Sequence, residues 1–189
     1  QVHLGLGLKG VGACHKDGYA VYALNSVLGG GVSSRLFQEI REKRGLSYSI
    51  YSFLSGYSDG GTITVYAGTQ AREVERVLEL VSREIRRLSR DGIDRHELKR
   101  TKEQMKGGLM LSLESSHSRM NKLAKDELIS RAHTSLEDMI LKIDGITPQQ
   151  ISQVAQDLFT PERIALTGLG PLSSRQVKAL SGQFQKSTA

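Results

Sequence analysis

The chain has 189 residues, with 26 Lys and Arg against 20 Asp and Glu, a formal net charge of +6. A chain of this size buries ~70% of its unfolded surface on folding, and 38% hydrophobic with 24% charged residues excludes wholesale disorder. No apolar run approaches the roughly 20 residues of a membrane helix, and Cys14, the only cysteine, rules out an internal disulfide or a thiolate metal cluster.

Val2, Leu4, Leu6 and Leu8 alternate with His3, Gly5 and Gly7, which predicts a half-buried strand with one nearly bare face. Asp17 is placed to cap a helix that turns Ala20, Ala23, Leu24, Val27 and Leu28 inward and ends at Gly29-Gly30-Gly31. Ser33 opens a second helix bearing Leu36, Phe37 and Ile40. Gly45 then falls where a left-handed cap belongs, with Leu46 folding back on Ile40.

Residues 48–57 and 62–68 are β-branched and aromatic, and Asp59-Gly60-Gly61 between them predicts a hairpin. Val74, Val77, Leu78, Val81, Ile85 and Leu88 recur at helical spacing until Asp91-Gly92. Asp94 to Glu97 has capping-box spacing for a helix through Leu98, Met105, Leu109 and Leu113. Helices follow over 120–128 and 136–143. Thr147-Pro148 caps another through Ile151, Val154, Ala155 and Leu158. After Pro161 a strand returns over 163–169, and the polar tail frays. No linker or internal repeat divides the chain, so residues 1–189 read as a single domain. The expected class is α+β: one mostly antiparallel sheet with helices packed on one face.

The basic excess does not point to nucleic acid. It is interspersed with acids, as over residues 83–87, which marks a solvated helix face. Aromatics are 5% with no Trp, leaving few stacking platforms for single strands.

The histidines (His3, His15, His96, His117 and His133) form neither His-Glu-x-x-His nor His-x-x-Glu-His, since Arg100 stands where His96-Glu97 would need its partner. That spacing argues against a mononuclear zinc site within the chain. Cys14 lacks a nearby base, no serine sits in Gly-x-Ser-x-Gly, and the glycine triplet lacks the Lys-Ser/Thr pair of a phosphate loop. Close helix packing accounts for the triplet. Arg41, at a helix end, and Tyr48, at a strand start, read in two ways. They form a donor pair for a carbonyl or developing oxyanion, or Arg41 serves its own helix carbonyls while Tyr48 packs on the sheet.

Residues 28–49 carry Leu28-Gly29-Gly30-Gly31, Ser33-Ser34-Arg35-Leu36-Phe37 and Arg41-Glu42-Lys43-Arg44-Gly45-Leu46-Ser47-Tyr48-Ser49. This segment resembles the second-half motif of the pitrilysin, insulinase and mitochondrial processing peptidase family of inverted-zincin metallopeptidases. The likeness extends over nearly the whole chain and is greatest to the bacterial processing-peptidase branch. It implies the C-terminal, non-zinc half of a zinc metalloendopeptidase, since the family's zinc motif is missing.

By that resemblance, zinc on a partner N-terminal half activates water, a glutamate there is the general base, and the halves close around an unfolded peptide. Arg41 and Tyr48 supply substrate and transition-state contacts, and this chain holds no cofactor. The expected partners are the zinc-bearing domain or subunit, a peptide substrate and a homodimer or heterodimer mate, with neither nucleic acid nor membrane. The alternative is an inactive scaffold subunit, since the family includes core proteins of respiratory complexes. The chain opens Gln-Val-His-Leu-Gly without an initiator Met or signal segment. That suggests a processed or excised piece, with the bacterial cytoplasm as the expected compartment.

Overall fold

The period-two pattern at the start of the chain becomes β1 (Val2–Gly10), a central strand of a four-stranded sheet. The computed structural model describes residues 1–160 and 163–188. The other strands are β2 (Ser47–Gly56), β3 (Gly61–Thr69) and β4 (Ala165–Leu169), in the order β2-β3-β1-β4 with every neighbouring pair antiparallel. In the register, Leu4, Leu6 and Leu8 lie beside Ala67, Val65 and Ile63, all fully buried. His3, Gly5 and Gly7 lie beside Gly68, Tyr66 and Thr64 on the opposite face. Side chains of successive residues point to opposite faces, so one face is apolar and packed, and the other is open.

The helices are α1 (Gly18–Gly29), α2 (Val74–Asp91), α3 (Arg95–Glu114), α4 (Ser116–Lys125), α5 (Leu136–Asp144), α6 (Pro148–Leu158) and α7 (Ser174–Thr188). On the packed face α1 meets β2, α2 meets β3, α6 meets β1 and α7 meets β4. The expected α+β class, one antiparallel sheet with helices on one face, is the observed one.

Sequence periodicity explains the core directly. Ala20, Ala23, Leu24, Val27 and Leu28 of α1 are buried, as are Val74, Val77, Leu78, Val81, Ile85 and Leu88 of α2. Gly92, at φ +67°, stops α2 in a conformation that a Cβ would strain. The Thr147 side chain and Gln150 complete a reciprocal capping box at α6, with Pro148 at its start. At the end of α1 the backbone touches β2 so closely that a Cβ on Gly29 would lie 2.5 Å from the Ser52 nitrogen. Close packing is therefore what the triplet provides at Gly29.

Four expectations are corrected. The helix expected to open at Ser33 begins at Arg35 and widens into a π turn over Phe37–Glu42; Leu36 and Ile40 are fully buried but Phe37 is only half-buried. The strand expected over 163–169 begins at Ala165, and Pro161 lies outside the described residues. The tail, expected to fray, forms α7, because Ser173 and Gln176 make a capping box and Phe184 is buried. Finally, α3 uses only Leu98 and Thr101 in the core, with Met105, Leu109 and Leu113 half-buried.

Two glycines should respond to alanine with opposite signs. Gly29→Ala forces backbone apart, and overpacking of this kind costs about 1–3 kcal/mol, which lowers the melting temperature by several degrees. Gly107, inside α3 with nothing within 4 Å of a Cβ, should gain about 0.5–1 kcal/mol on change to Ala. Paired thermal melts monitored by circular dichroism decide it; equal shifts would contradict the close-packing account of Gly29.

Candidate functional site

The segment between α1 and β2 is built by a helix that widens and then reverses. In the π turn the Lys43 amide donates to the Gln38 carbonyl at 3.0 Å, one residue further back than in an α-helix. The Gly45 amide donates to Arg41 O and the Leu46 amide to Ile40 O, both at 3.0 Å, with Gly45 at φ +61°. This is the left-handed cap expected from the sequence, closed by the expected return of Leu46 to Ile40. It lets Arg41 end a helix while Leu46 already points into the sheet.

Strand β2 then begins with a bulge. Ser47 pairs with Thr69 and Ser49 with Gly68, so Tyr48 is an extra residue with no partner on β3. Polar side chains hold the irregularity. The Ser47 hydroxyl lies 2.8 Å from both the Ser49 and Gly68 carbonyl oxygens, which share its proton, and the Thr69 hydroxyl donates to Leu46 O at 2.5 Å. A bulge re-aims the side chain it carries, and Tyr48 stands 79% exposed.

The structure brings Arg41 and Tyr48 together: the guanidinium carbon is 5.2 Å from the Tyr48 ring centroid and 4.7 Å from that of Phe37. Among the described residues Arg41 makes no hydrogen bond to its helix carbonyls, and its one ion pair is an exposed 3.8 Å contact with Glu42. Nor is Tyr48 packed on the sheet. Arg41 thus contacts Phe37, Tyr48 and Glu42 instead of its helix carbonyls.

The neighbouring charges, by contrast, are engaged. Arg35 makes a forked pair with Glu97 at 2.9 and 2.6 Å and reaches Gly92 O at 3.0 Å, tying the π turn to the corner between α2 and α3. This engagement explains why Asp94 caps α3 through the Glu97 amide without a returned bond: the Glu97 carboxylate is held by Arg35. Burial alone would lower the Arg35 pKa, but the hydrogen bond and charge of Glu97 outweigh it and raise it. Glu39 accepts from Lys43 and from Arg44 at 2.6 Å, with Arg83 at 3.9 Å. The hydrogen bond from Lys43, against partial burial and aided by Arg44, holds the Glu39 carboxyl below its usual range.

A cleft of about 300 Å³ opens beside these groups, between the glycine triplet, Phe37, Arg41 and residues 49–52 of the edge strand β2. Nothing in the sequence flagged the bulge or the Arg35–Glu97 clamp, which depend on partners 21 and 62 residues along the chain, or the cleft, which depends on how the reversal folds.

The histidines remain apart: His3 on β1, His15 before α1, His96 on α3, His117 on α4 and His133 before α5. Among the described residues no group of three or more His, Cys, Asp or Glu side chains could hold a metal ion. Nor is any described helix long and apolar enough to cross a membrane. Cys14 is exposed.

The family described as Peptidase M16 inactive domain matches residues 1–105, from β1 into α3 and through both Arg41 and Tyr48. The chain belongs to that family. It is 44% identical over 171 residues to the uncharacterized zinc protease YmxG of Bacillus subtilis, covering 90% of this chain and 42% of that protein. An uncharacterized zinc protease of Streptomyces coelicolor is 39% identical over 180 residues, covering 95% of the chain and 39% of that protein. The peptidase M16 inactive domain from Pseudomonas fluorescens has a similar structure, with a TM-score of 0.81 and 25% identity over 91% of this chain and 41% of that one. The M16 domain thus spans about two fifths of the length of these zinc-protease relatives.

The described residues of this M16 domain bring no three candidate zinc ligands together. After dialysis, elemental analysis of the chain should find far less than one zinc per molecule. Tightly held stoichiometric zinc on His or carboxylate ligands would overturn that. Acid should also loosen the π turn. A carboxyl whose folded pKa is depressed stabilises above its unfolded pKa, and that contribution is lost as pH falls through the folded value. Glu39→Gln should therefore flatten the fall of stability below about pH 4.5, measured as the melting midpoint against pH.

Proposed function

We propose that this chain is the C-terminal, substrate-contacting half of a zinc metalloendopeptidase that cleaves unfolded peptides between two closing halves. One observation carries the reading: the half-buried Arg41, whose one ion pair among the described residues is the 3.8 Å contact with Glu42, lies against the exposed Tyr48 ring and lines a cleft beside an edge strand. A planar guanidinium edge and a phenol O–H are donors suited to a peptide carbonyl and to the oxyanion it becomes. Water is not activated by this chain; in this reading the zinc of the partner N-terminal half supplies that chemistry.

The roles here are binding and orientation. The fork of Arg41 holds a substrate carbonyl and the Tyr48 hydroxyl hydrogen-bonds to the same developing charge, while the extended peptide adds as a strand to a sheet edge of the zinc half. The partner is the zinc-bearing domain or subunit, in a homodimer or heterodimer. The matching proteins of Bacillus and Streptomyces support a bacterial setting, which we take to be the cytoplasm. The alternative, an inactive scaffold subunit, needs neither donor in this register, and the engagement of Arg35, Lys43 and Arg44 against the open Arg41 favours the peptidase.

The test uses the intact protein containing this half. Tyr48→Phe keeps the ring and removes one donor, so stability should hold while kcat/KM falls by roughly 10²-fold or more. Arg41→Lys keeps the charge without the fork and should also be impaired, and the double variant should lose less than the product of the single losses. Wild-type turnover in both single variants would reduce the pair to a structural feature. The 189-residue chain alone should melt cooperatively yet cleave nothing; chelator-sensitive cleavage by the pure chain would contradict the division of labour.

A further inference from the structure

Phe37 is a large apolar side chain that the core does not use. Leu36 and Ile40, its neighbours on the π turn, are fully buried. Phe37 is half-buried and is not among the side chains packed against the hydrophobic cluster. Its ring lies 4.7 Å from the guanidinium carbon of Arg41, on the same helix face four residues on, and lines the cleft beside it. With Tyr48 at 5.2 Å, Arg41 rests against two aromatic rings.

Contacts of this kind differ in kind from an ion pair. An arginine drawn to an aromatic ring by its charge and the ring quadrupole is able to stack on it by the flat face of the guanidinium. Its N–H donors lie in the plane and stay available at the edge. A carboxylate in the same place would fix the side chain by occupying those donors, as Glu97 does with Arg35. The 3.8 Å contact with Glu42 is too long to orient the fork and leaves it open.

We propose that Phe37 is a positioning residue, whose ring fixes the Arg41 guanidinium at the cleft rim with its donors pointing to substrate. This rests on the reading of Arg41 as a substrate contact. Tyr48 then has two separable parts: a ring that steadies Arg41 and a hydroxyl that meets the substrate.

The direct readout is the order of the Arg41 side chain, from ¹⁵N relaxation at its Nε–H in the 189-residue chain. Phe37→Leu should drop the Nε order parameter to below about 0.6, the range of flexible groups, with the melting temperature unchanged. Phe37→Tyr and Tyr48→Phe, which keep both rings, should retain wild-type order. In the intact protein, Phe37→Leu should lower kcat/KM by roughly 10-fold or more, toward the 10² that a displacement of about 1 Å can cost, and Phe37→Tyr should restore it.

Unchanged Arg41 order in Phe37→Leu would overturn the proposal, and so would a large fall in its melting temperature, which would make Phe37 a packing residue. A freed Arg41 with full turnover, in a protein where Arg41→Lys is impaired, would overturn it as well. If instead Arg41→Lys and Tyr48→Phe are both fully active, the substrate role of the pair fails, while the relaxation data still decide what holds the guanidinium.

Discussion

The site depends on one backbone constraint, the reversal from helix to strand around Gly45. A positive φ is needed there, and the cap hydrogen bonds run one residue wider than those closing an α-helix, because the turn before it is already widened. That extra width is what carries Arg41 to the last turn with its side chain toward β2. The bulge at Tyr48 completes the geometry from the other side: an ordinary strand start would give this tyrosine a cross-strand partner on β3. Two irregularities, each costly alone, are mutually compensating here. They are stitched by hydroxyls of Ser47 and Thr69 that would otherwise have no reason to be buried at a strand end.

Charge is distributed around the reversal by the same logic. A surface arginine without a carboxylate is ordinary, but in this short segment Arg35, Lys43 and Arg44 all have close partners. The pair formed by Arg35 is half-sequestered, with side chains 16% and 18% exposed, and its forked geometry is the kind that contributes to stability beyond a solvated ion pair. Glu39 and Glu97 are thus used in bracing, while the cation beside the cleft lies against two rings and only 3.8 Å from Glu42. Steadying without neutralisation is compatible with receiving an anionic or partly charged oxygen.

The fold was legible where short-range pattern and burial agree. Alternation in β1, the apolar stripe of α2, the hairpin at Asp59-Gly60 and the Thr147 box all follow from local chemistry, and so does the cap at Gly45. Legibility failed where partners are distant or signals faint. Phe37 was grouped with Leu36 and Ile40 on the helix expected after Ser33, yet in the widened turn it lines the cleft while they are buried. Met105 and Leu109 repeat at helical spacing, yet they pack against the core only from its margin and stay half-buried. The tail was taken for frayed chain on its polarity, although Ser173 and Gln176 stood at capping-box spacing and Phe184 marked an inward face. At the candidate site, spacing and family likeness singled out Arg41 and Tyr48 as a proposal. The sequence did not reveal that the guanidinium lies against the Phe37 and Tyr48 rings while Glu39 and Glu97 are held by other cations.

The stretch beyond Thr101 has a different thermodynamic standing from the sheet. From residue 102 to residue 138 no side chain is buried, while β1, β3 and α1 contribute fully buried residues throughout their lengths. Helix α4, ten residues long, is too short to persist in water on intrinsic propensity. Opening it exposes little apolar surface, so the molecule has two tiers of protection. Amide protons of the central strands β1 and β3 are expected to exchange only when the core opens. Those of α4 and the outer half of α3 are expected to exchange by local fluctuation, which makes that stretch the first expected place of proteolytic nicking.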